Sequence, residues 1–123
     1  MSLCLLASGK LTVIAASAFT LAWTHSVERI AWEEDWKLTP RGLEIVEARV
    51  KGSGAGMEPP EGAVLSKGWW HYKPPLAPIK ELHLAASGAT APWSLCTLKG
   101  CVKISPDPEM EAATLGRCAE SVD

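Results

Sequence analysis

The stretch "FTLAWTHSVERIAWEEDW", residues 19–36, decides the fold of this chain. Two runs in and just after this stretch have an apolar residue at every second position. The first is Phe19, Leu21 and Trp23, and the second, with one polar exception, is Ile30, Trp32, Trp36 and Leu38. A period of two residues is typical of a β-strand that buries one face. The stretch therefore predicts two amphipathic strands, with the tryptophans on the faces that pack into the core.

Short apolar runs separated by clusters of Gly, Pro and Ser continue along the chain, as in residues 43–50, 69–73 and 101–104. This spacing predicts an all-β fold, a small antiparallel β-sandwich or barrel of about eight strands. Residues 1–105 are predicted to form a single β domain. Residues 106–123 are predicted to form a short C-terminal helix or a flexible tail, because Asp107 and Pro108 are suitable residues for starting a helix.

Two features of the tryptophan pattern can be tested against a structure. Trp23, Trp32, Trp36 and Trp93 all lie in runs with a period of two, which predicts that all four are buried between sheets. Trp69 and Trp70 are consecutive, and consecutive strand residues point to opposite faces of a sheet. One of these two is therefore predicted to lie on an outer face, where it could contact a partner.

The composition is that of an ordinary globular domain. The chain has 123 residues, of which 47% are hydrophobic and 21% charged, so one domain with a core of its own is expected. The formal net charge is −2 and the basic residues are scattered along the sequence. Nucleic acid is therefore excluded as a main partner, because its binding needs concentrated basic charge.

The N-terminal sequence "MSLCLLASGKLTVIAASAFTLAW" is apolar, but residues 8–10 (Ser-Gly-Lys) interrupt it. No basic residue precedes the apolar run, which differs from the pattern of a signal peptide. A membrane-spanning helix needs about 20 apolar residues in succession. The interruption is instead interpreted as a turn between two strands. A cytoplasmic chain without a membrane span is expected.

The chain contains four cysteines, and a cytoplasmic location bears on whether they are free or paired. Cys96 and Cys101 frame "CTLKGC", in which a tight turn could place the two thiols opposite each other across a hairpin. The spacing typical of zinc ligands does not occur. In a reducing cytosol, cysteines are more often free than paired. Buried free thiols are therefore predicted, and no metal.

The segment "THSVE", residues 24–28, gives an apolar strand a polar end. One interpretation is that His25 transfers a proton or contacts a ligand, with Ser26 or Glu28 helping to set its tautomer. The other is that His25 is a strand-end histidine half covered by neighbouring rings. Ser26 does not form a nucleophile with His25, since adjacent strand residues diverge.

The segment "GSGAGM", residues 52–57, contains three glycines in six residues. Gly52, Gly54 and Gly56 could let the backbone approach a ligand, with Met57 as an adaptable apolar contact. The segment matches neither a phosphate-binding loop nor a dinucleotide fingerprint, so no cofactor is predicted. The alternative is a bulged crossover between sheets.

We predict that "THSVE" and "GSGAGM" converge on one binding surface for a small anionic solute or for a loop of a partner protein. The residues predicted to form this surface are Trp23, Thr24, His25, Ser26, Glu28, Gly52, Gly54, Gly56 and Met57.

Three stretches together resemble a known bacterial family: "FTLAWTHSVERIAWEEDW", "LEIVEARVKGSGAGMEPPEG" and "GWWHY". The chain is similar to the family called domain of unknown function 1850 (DUF1850), roughly from Leu3 to Cys101. The Thr24–Val27 core and the Gly-x-Gly-Met loop carry the resemblance. The resembled family has no established activity. The resemblance implies a genomic context, because genes of this family often lie beside those of TAXI-type TRAP transporters, which use an extracytoplasmic solute-binding protein. Some relatives carry an N-terminal membrane segment before the same domain.

Two classes of function follow. The first is a non-enzymatic accessory or binding domain that acts on a TRAP transporter component or on its small solute. The alternative is a small enzyme or metal-binding protein that uses His25 with a carboxylate such as Glu28 or Glu58, and also His71 and His83. The first is favoured, because no nucleophile, base and orienting group can be assembled from the sequence.

Overall fold

The computed structural model describes residues 2–7, 9–25, 30–51, 61–84, 93–104 and 113–118, with backbone only at residue 25. Eleven β-strands and no helix occur within these ranges. The strands are β1 (Leu3–Ala7), β2 (Lys10–Ile14), β3 (Ala18–His25), β4 (Ile30–Thr39), β5 (Gly42–Lys51), β6 (Val64–Ser66), β7 (Trp69–Tyr72), β8 (Glu81–Leu84), β9 (Trp93–Thr97), β10 (Gly100–Ile104) and β11 (Ala113–Arg117). No helix in the described ranges is long and apolar enough to cross a membrane.

The strands form two antiparallel sheets. One has four strands in the order β2-β1-β11-β8, and the other has seven in the order β10-β9-β3-β4-β5-β7-β6. Their apolar faces supply one shared core, as in a β-sandwich. The predicted all-β, sandwich-like fold is confirmed, with eleven described strands instead of about eight.

The core lies between the two sheets. Leu3 and Leu115 from the smaller sheet are fully buried, as are Leu21 and Leu95 from the larger one. Trp36 is only 2% exposed, and its ring stacks on that of Phe19 at 6.5 Å between centroids. The predicted burial is confirmed for this tryptophan.

Burial of the other three predicted core tryptophans is only partial. Trp23, Trp32 and Trp93 are half-buried, and Trp32 does not pack against the core cluster. The predicted burial between the sheets is therefore only partial for Trp23 and Trp93, which pack against the core, and Trp32 lies outside the core cluster. The physical reason is that a sheet of four strands cannot cover the whole face of a sheet of seven.

A β-bulge interrupts the alternation of inward-facing and outward-facing side chains along β5. Asp35 of β4 pairs with Glu47, but the next residue, Trp36, pairs with Ile45, which leaves Val46 as an extra residue on β5. Ile45 and Ala48 are consequently both buried, although they are three residues apart. The bulge therefore turns Glu47, together with Asp35, toward the outer face of the seven-stranded sheet.

The C-terminal strand corrects the expectation of a helix or tail after residue 105. Residues Ala113–Arg117 form β11, which lies in the middle of the four-stranded sheet between β1 and β8. Ala113 and Leu115 are buried and alternate with the half-buried Thr114 and Gly116. This is the period of a strand, and both edges of β11 are hydrogen-bonded to neighbours.

The cysteines also differ from the prediction of buried free thiols. Disulfides join Cys4 to Cys118 and Cys96 to Cys101. The register of β9 and β10 places Cys101 directly opposite Cys96, and the first pair joins residues beside the β1–β11 ladder. Both pairs are therefore brought together by strand pairing, and Cys101 is exposed.

Candidate functional site

Four tryptophans cross the inner face of the seven-stranded sheet at one end. Strand pairing places Trp23 opposite Trp32, Trp32 opposite Val50, and Val50 opposite Trp70. Trp93 of β9 extends the series, because its ring lies 4.8 Å from that of Trp23. We call Trp93, Trp23, Trp32 and Trp70 the tryptophan row.

The indole rings of Trp93, Trp23 and Trp32 pack against one another, but the tryptophan row is not fully covered by other parts of the described structure. The rings of Trp23 and Trp32 are stacked, with centroids 6.2 Å apart and planes at 7°. Trp23 and Trp93 rest on the core cluster, whereas Trp32 and Trp70 do not belong to it. All four side chains are half-buried. The row therefore combines ordered rings with indole surface that remains open to solvent.

The predicted binding residues fall in two groups. Trp23 belongs to the tryptophan row, and Thr24 is exposed and follows it on the opposite face of β3. His25 is described by its backbone, which pairs with Ile30. The remaining residues lie outside the described ranges: Ser26, Glu28, Gly52, Gly54, Gly56 and Met57. The convergence of "THSVE" with "GSGAGM" stays a prediction.

The strand ends nevertheless place the origins of both segments together. β3 ends at His25 and β4 begins at Ile30, so segment 26–29 joins these two neighbours. β5, the next strand in the sheet, ends at Lys51, where segment 52–60 begins. The pairing of Trp32 with Val50 aligns these ends. Both segments therefore leave the sheet at the end that carries the tryptophan row.

Two polar side chains adjoin the row on the same face. Glu34 follows Trp32 by two residues and accepts a hydrogen bond from Trp36 Nε1 at 3.1 Å. Burial raises the pKa of Glu34. The pKa of Tyr72 is also raised, first by burial and then by the negative charge of Glu34. A carboxyl group and a phenol thus stand beside the indoles.

The raised pKa of Glu34 predicts a specific pH dependence of stability. The folded chain holds this proton more tightly than the unfolded chain, so stability is lost as pH rises from about 4.5 through the higher folded pKa. Glu34→Gln should therefore raise the melting temperature at pH 7 and change it little at pH 4, since Gln still accepts the bond from Trp36. Thermal unfolding at both pH values measures this, with Glu61→Gln, an exposed turn residue, as the control. A lower melting temperature for Glu34→Gln at pH 7 would contradict it.

The outer face of the same sheet carries an ionic network centred on Arg49. Its guanidinium donates to Glu33 at 3.0 Å, to both oxygens of Asp35 at 2.7 and 2.9 Å, and to Glu47 at 2.9 Å. Thr20 donates a further bond to Asp35 at 2.7 Å. The hydrogen bonds from Arg49 are the main reason that the pKa of Asp35 is lowered. With its donors occupied by carboxylates, Arg49 serves the sheet and offers little to an external anion.

His71 adjoins this network in a cavity of about 420 Å³. Its Nδ1 lies 2.8 Å from Glu47 Oε1, and this hydrogen bond, followed by that from Arg49, lowers the pKa of Glu47. Among the described residues, no hydroxyl or thiol hydrogen-bonds to the other ring nitrogen. The pair therefore resembles a base with its orienting group, and Ser66, which lines the same cavity, is not hydrogen-bonded to it.

Of the other residues proposed for catalysis or metal binding, Glu28 and Glu58 lie outside the described ranges, and His25 is described by its backbone alone. His83 is exposed and lies 3.5 Å from Glu81 on the four-stranded sheet, away from His71. No group of three potential metal-ligating side chains occurs among the described residues.

Trp69 and Trp70 lie on opposite faces of β7. Trp69 lines the cavity beside His71, and the ammonium of Lys51 lies 5.2 Å from the centre of its ring. Trp70 belongs to the tryptophan row on the inner face, opposite the buried Val50. The predicted divergence of the two side chains is confirmed.

Comparison with family models gives one match, over residues 19–104, to DUF1850, a domain of unknown function. The matched range contains the tryptophan row and the Arg49 network, and it excludes β1, β2 and β11 of the smaller sheet. Neither the comparison with curated proteins nor that with solved structures finds a match. Since the match covers well over half of its length, this chain belongs to the DUF1850 family.

Proposed function

We propose that this chain is a non-enzymatic accessory domain of a TRAP-type uptake system, and that its tryptophan row binds an extended segment of a transporter component. The observation that carries the proposal is the row itself: four half-buried indoles on β9, β3, β4 and β7, with Val50 of β5 between the last two. Two of the four indoles are not part of the core cluster. Solvent-accessible tryptophans contribute strongly to protein interfaces when a partner covers them.

The length of the row supports a protein segment as the occupant. It runs from β9 through β3, β4 and β5 to β7, which is four spacings between neighbouring strands. At about 4.8 Å per spacing the row is roughly 19 Å long. A small solute would cover only part of it, whereas about six residues of extended chain would cover all of it.

Polar groups beside the row can fix the orientation of such a segment. Glu34 can accept a hydrogen bond and Tyr72 can donate one, and both lie on the same face as Trp32 and Trp70. β3 ends at His25 and β5 ends at Lys51, both at this end of the sheet. The predicted binding residues that follow them in sequence, Ser26, Glu28, Gly52, Gly54, Gly56 and Met57, are proposed to extend the same surface.

The link to uptake systems rests on what the family resemblance implies, namely genes that often lie beside those of TAXI-type TRAP transporters, and the match of residues 19–104 to the family supports that resemblance. The cytoplasmic location expected from the sequence stays a prediction. The two disulfides support the opposite placement, because disulfides persist mainly in oxidising compartments outside the cytosol. An extracytoplasmic domain would share a compartment with the solute-binding protein of such a system.

The experiment compares two consecutive tryptophans of one strand. Binding of the purified chain to the solute-binding protein and to the membrane subunits of a TAXI-type system from the same organism is measured by calorimetry. Trp70→Ala should weaken binding about thirtyfold, the loss typical of an interface hot spot. Trp69→Ala, the matched control on the opposite face, should leave the affinity unchanged.

Thermal unfolding of both variants accompanies the binding measurement. Trp70 is half-buried opposite the buried Val50, so Trp70→Ala should lower the melting temperature, and binding is therefore measured at a temperature at which both variants are folded. Equal losses of affinity for Trp69→Ala and Trp70→Ala would contradict the assignment to the row. Binding of the transported solute alone, with no binding of any transporter component, would show that the domain acts on the solute instead.

A further inference from the structure

A second cavity, of about 570 Å³, lies over the outer face of the four-stranded sheet. This face points away from the tryptophan row, so the cavity is independent of the function proposed above. The turn from Pro40 to Gly42, which joins β4 to β5, forms one wall. The volume is within the range of small-molecule sites.

The floor of this cavity is apolar. Leu6 of β1 faces Leu11 of β2 across the strand pair, and the two side chains are 47% and 59% exposed. Large aliphatic side chains with this exposure leave an apolar surface uncovered beside the cavity. A hydrocarbon chain placed on Leu6 and Leu11 would remove that surface from water.

Two cationic side chains border the cavity. Arg41 and Lys80 lie in its lining, and neither forms a salt bridge with another described residue. Arg117 also borders the cavity, but it pairs with the buried Leu3, so its side chain points to the inner face of the sheet. Among the described residues Glu81 is the one carboxylate in the lining, and it lies 3.5 Å from His83. Arg41, Lys80 and Glu81 together carry a net charge of about +1 at neutral pH, in a chain whose formal net charge is −2. A positive cavity in an acidic chain favours an anionic ligand.

We propose that this cavity binds an organic monocarboxylate with an apolar chain. The carboxylate would be held by the guanidinium of Arg41 and the ammonium of Lys80, and the chain would lie on Leu6 and Leu11. An Arg side chain binds a carboxylate with two parallel hydrogen bonds, which orients the head group.

Calorimetric titration with decanoate tests the proposal on the full chain in its oxidised form. Decanoate should bind with one site per chain. Acetate, which lacks the chain, and decylamine, which reverses the charge, should both fail to bind. Binding of decanoate and decylamine with equal affinity would overturn the role of the cations.

Variants assign the binding to this cavity. Arg41→Gln and Lys80→Gln should each weaken decanoate binding about tenfold, which corresponds to about 1.4 kcal/mol. Leu11→Ser should weaken it too, and its side chain is exposed enough that the fold is retained. The control is Lys37→Gln, an exposed cation of β4 that does not line the cavity. Equal effects of Lys37→Gln and Lys80→Gln would contradict the proposal.

A membrane surface is the competing source of anionic, apolar chemistry. Sedimentation with vesicles of anionic phosphatidylglycerol distinguishes the two. Co-sedimentation that Leu11→Ser abolishes, without binding of free decanoate, would show that this face docks on lipid bilayers and would overturn the small-molecule assignment. Decanoate binding without co-sedimentation is the expected result.

Discussion

Removal of the Cys4–Cys118 disulfide is expected to cause the largest loss of stability in this chain. The bond joins residues separated by 114 positions and links β1 to the end of β11, the two central strands of the smaller sheet. A cross-link of that length restricts the unfolded chain strongly, so the double variant Cys4→Ser with Cys118→Ser should lose about 5 kcal/mol of unfolding free energy. Equilibrium unfolding in urea measures the loss.

The second disulfide supplies the matched comparison. Cys96 and Cys101 are separated by only five positions and lie on strands already joined by a tight hairpin. Their replacement by serine should cost about 2 kcal/mol, since the closed loop is short. A larger loss for the short loop than for the long one would contradict the account of how the terminal strands are held.

Gly42→Ala is expected to have the second-largest effect. Gly42 starts β5 with a φ of +120°, a conformation that side chains rarely adopt. An added Cβ would overlap the carbonyl oxygen of Ile79. That oxygen accepts a hydrogen bond from Leu43 N at 2.7 Å, and Ile79 N donates to Leu43 O at 3.0 Å. Backbone strain and disturbance of these two bonds should together cost about 4 kcal/mol.

Gly100 separates the two causes. Its φ is +130°, close to that of Gly42, but an added Cβ there would meet no atom within 4 Å. Gly100→Ala should therefore show the strain alone, about 2 kcal/mol. Urea unfolding of both variants gives the difference between them, which measures the contact with Ile79. Equal losses would show that this contact contributes nothing.

The alternation of apolar residues was sufficient to predict the strands of the larger sheet, because a period of two belongs to the strand itself. It was insufficient for β11, where "ATLGR" is short and follows residues that suit a helix start. β11 is stabilised by pairing with β1, which lies more than a hundred residues earlier in the chain. Contacts between such distant segments leave no local pattern in the sequence.

The Arg49 network and the disulfides also depend on contacts between residues that are not neighbours in the sequence. The Arg49 network was missed because it depends on a bulge at Val46 that sets the register of β5 against β4. One signal was available: Ile45 and Val50 are both apolar but five residues apart, which a regular alternation forbids on one face. The disulfides were missed because the sequence was assigned to a reducing compartment, although the facing positions of Cys96 and Cys101 were predicted.

The tryptophan row was only partly predictable. The sequence predicts Trp23, Trp32 and Trp93 on strand faces that pack into the core, whereas for Trp70 it predicts only that its side chain points away from that of Trp69. Their incomplete burial depends on how far the smaller sheet extends over the larger one, and this extent cannot be read from the sequence. It follows from the number of strands in each sheet, which the structure gives as four and seven.

The central claim is that the tryptophan row is a binding surface for a transporter component. The most direct test follows the indole N–H resonances in heteronuclear NMR spectra while the solute-binding protein of a TAXI-type system is added. The indole N–H signals of Trp32 and Trp70 are expected to shift or broaden. Those of the buried Trp36 and of Trp69 on the opposite face are expected to remain unchanged. Unchanged signals for Trp32 and Trp70 together with a change at Trp69 would contradict it.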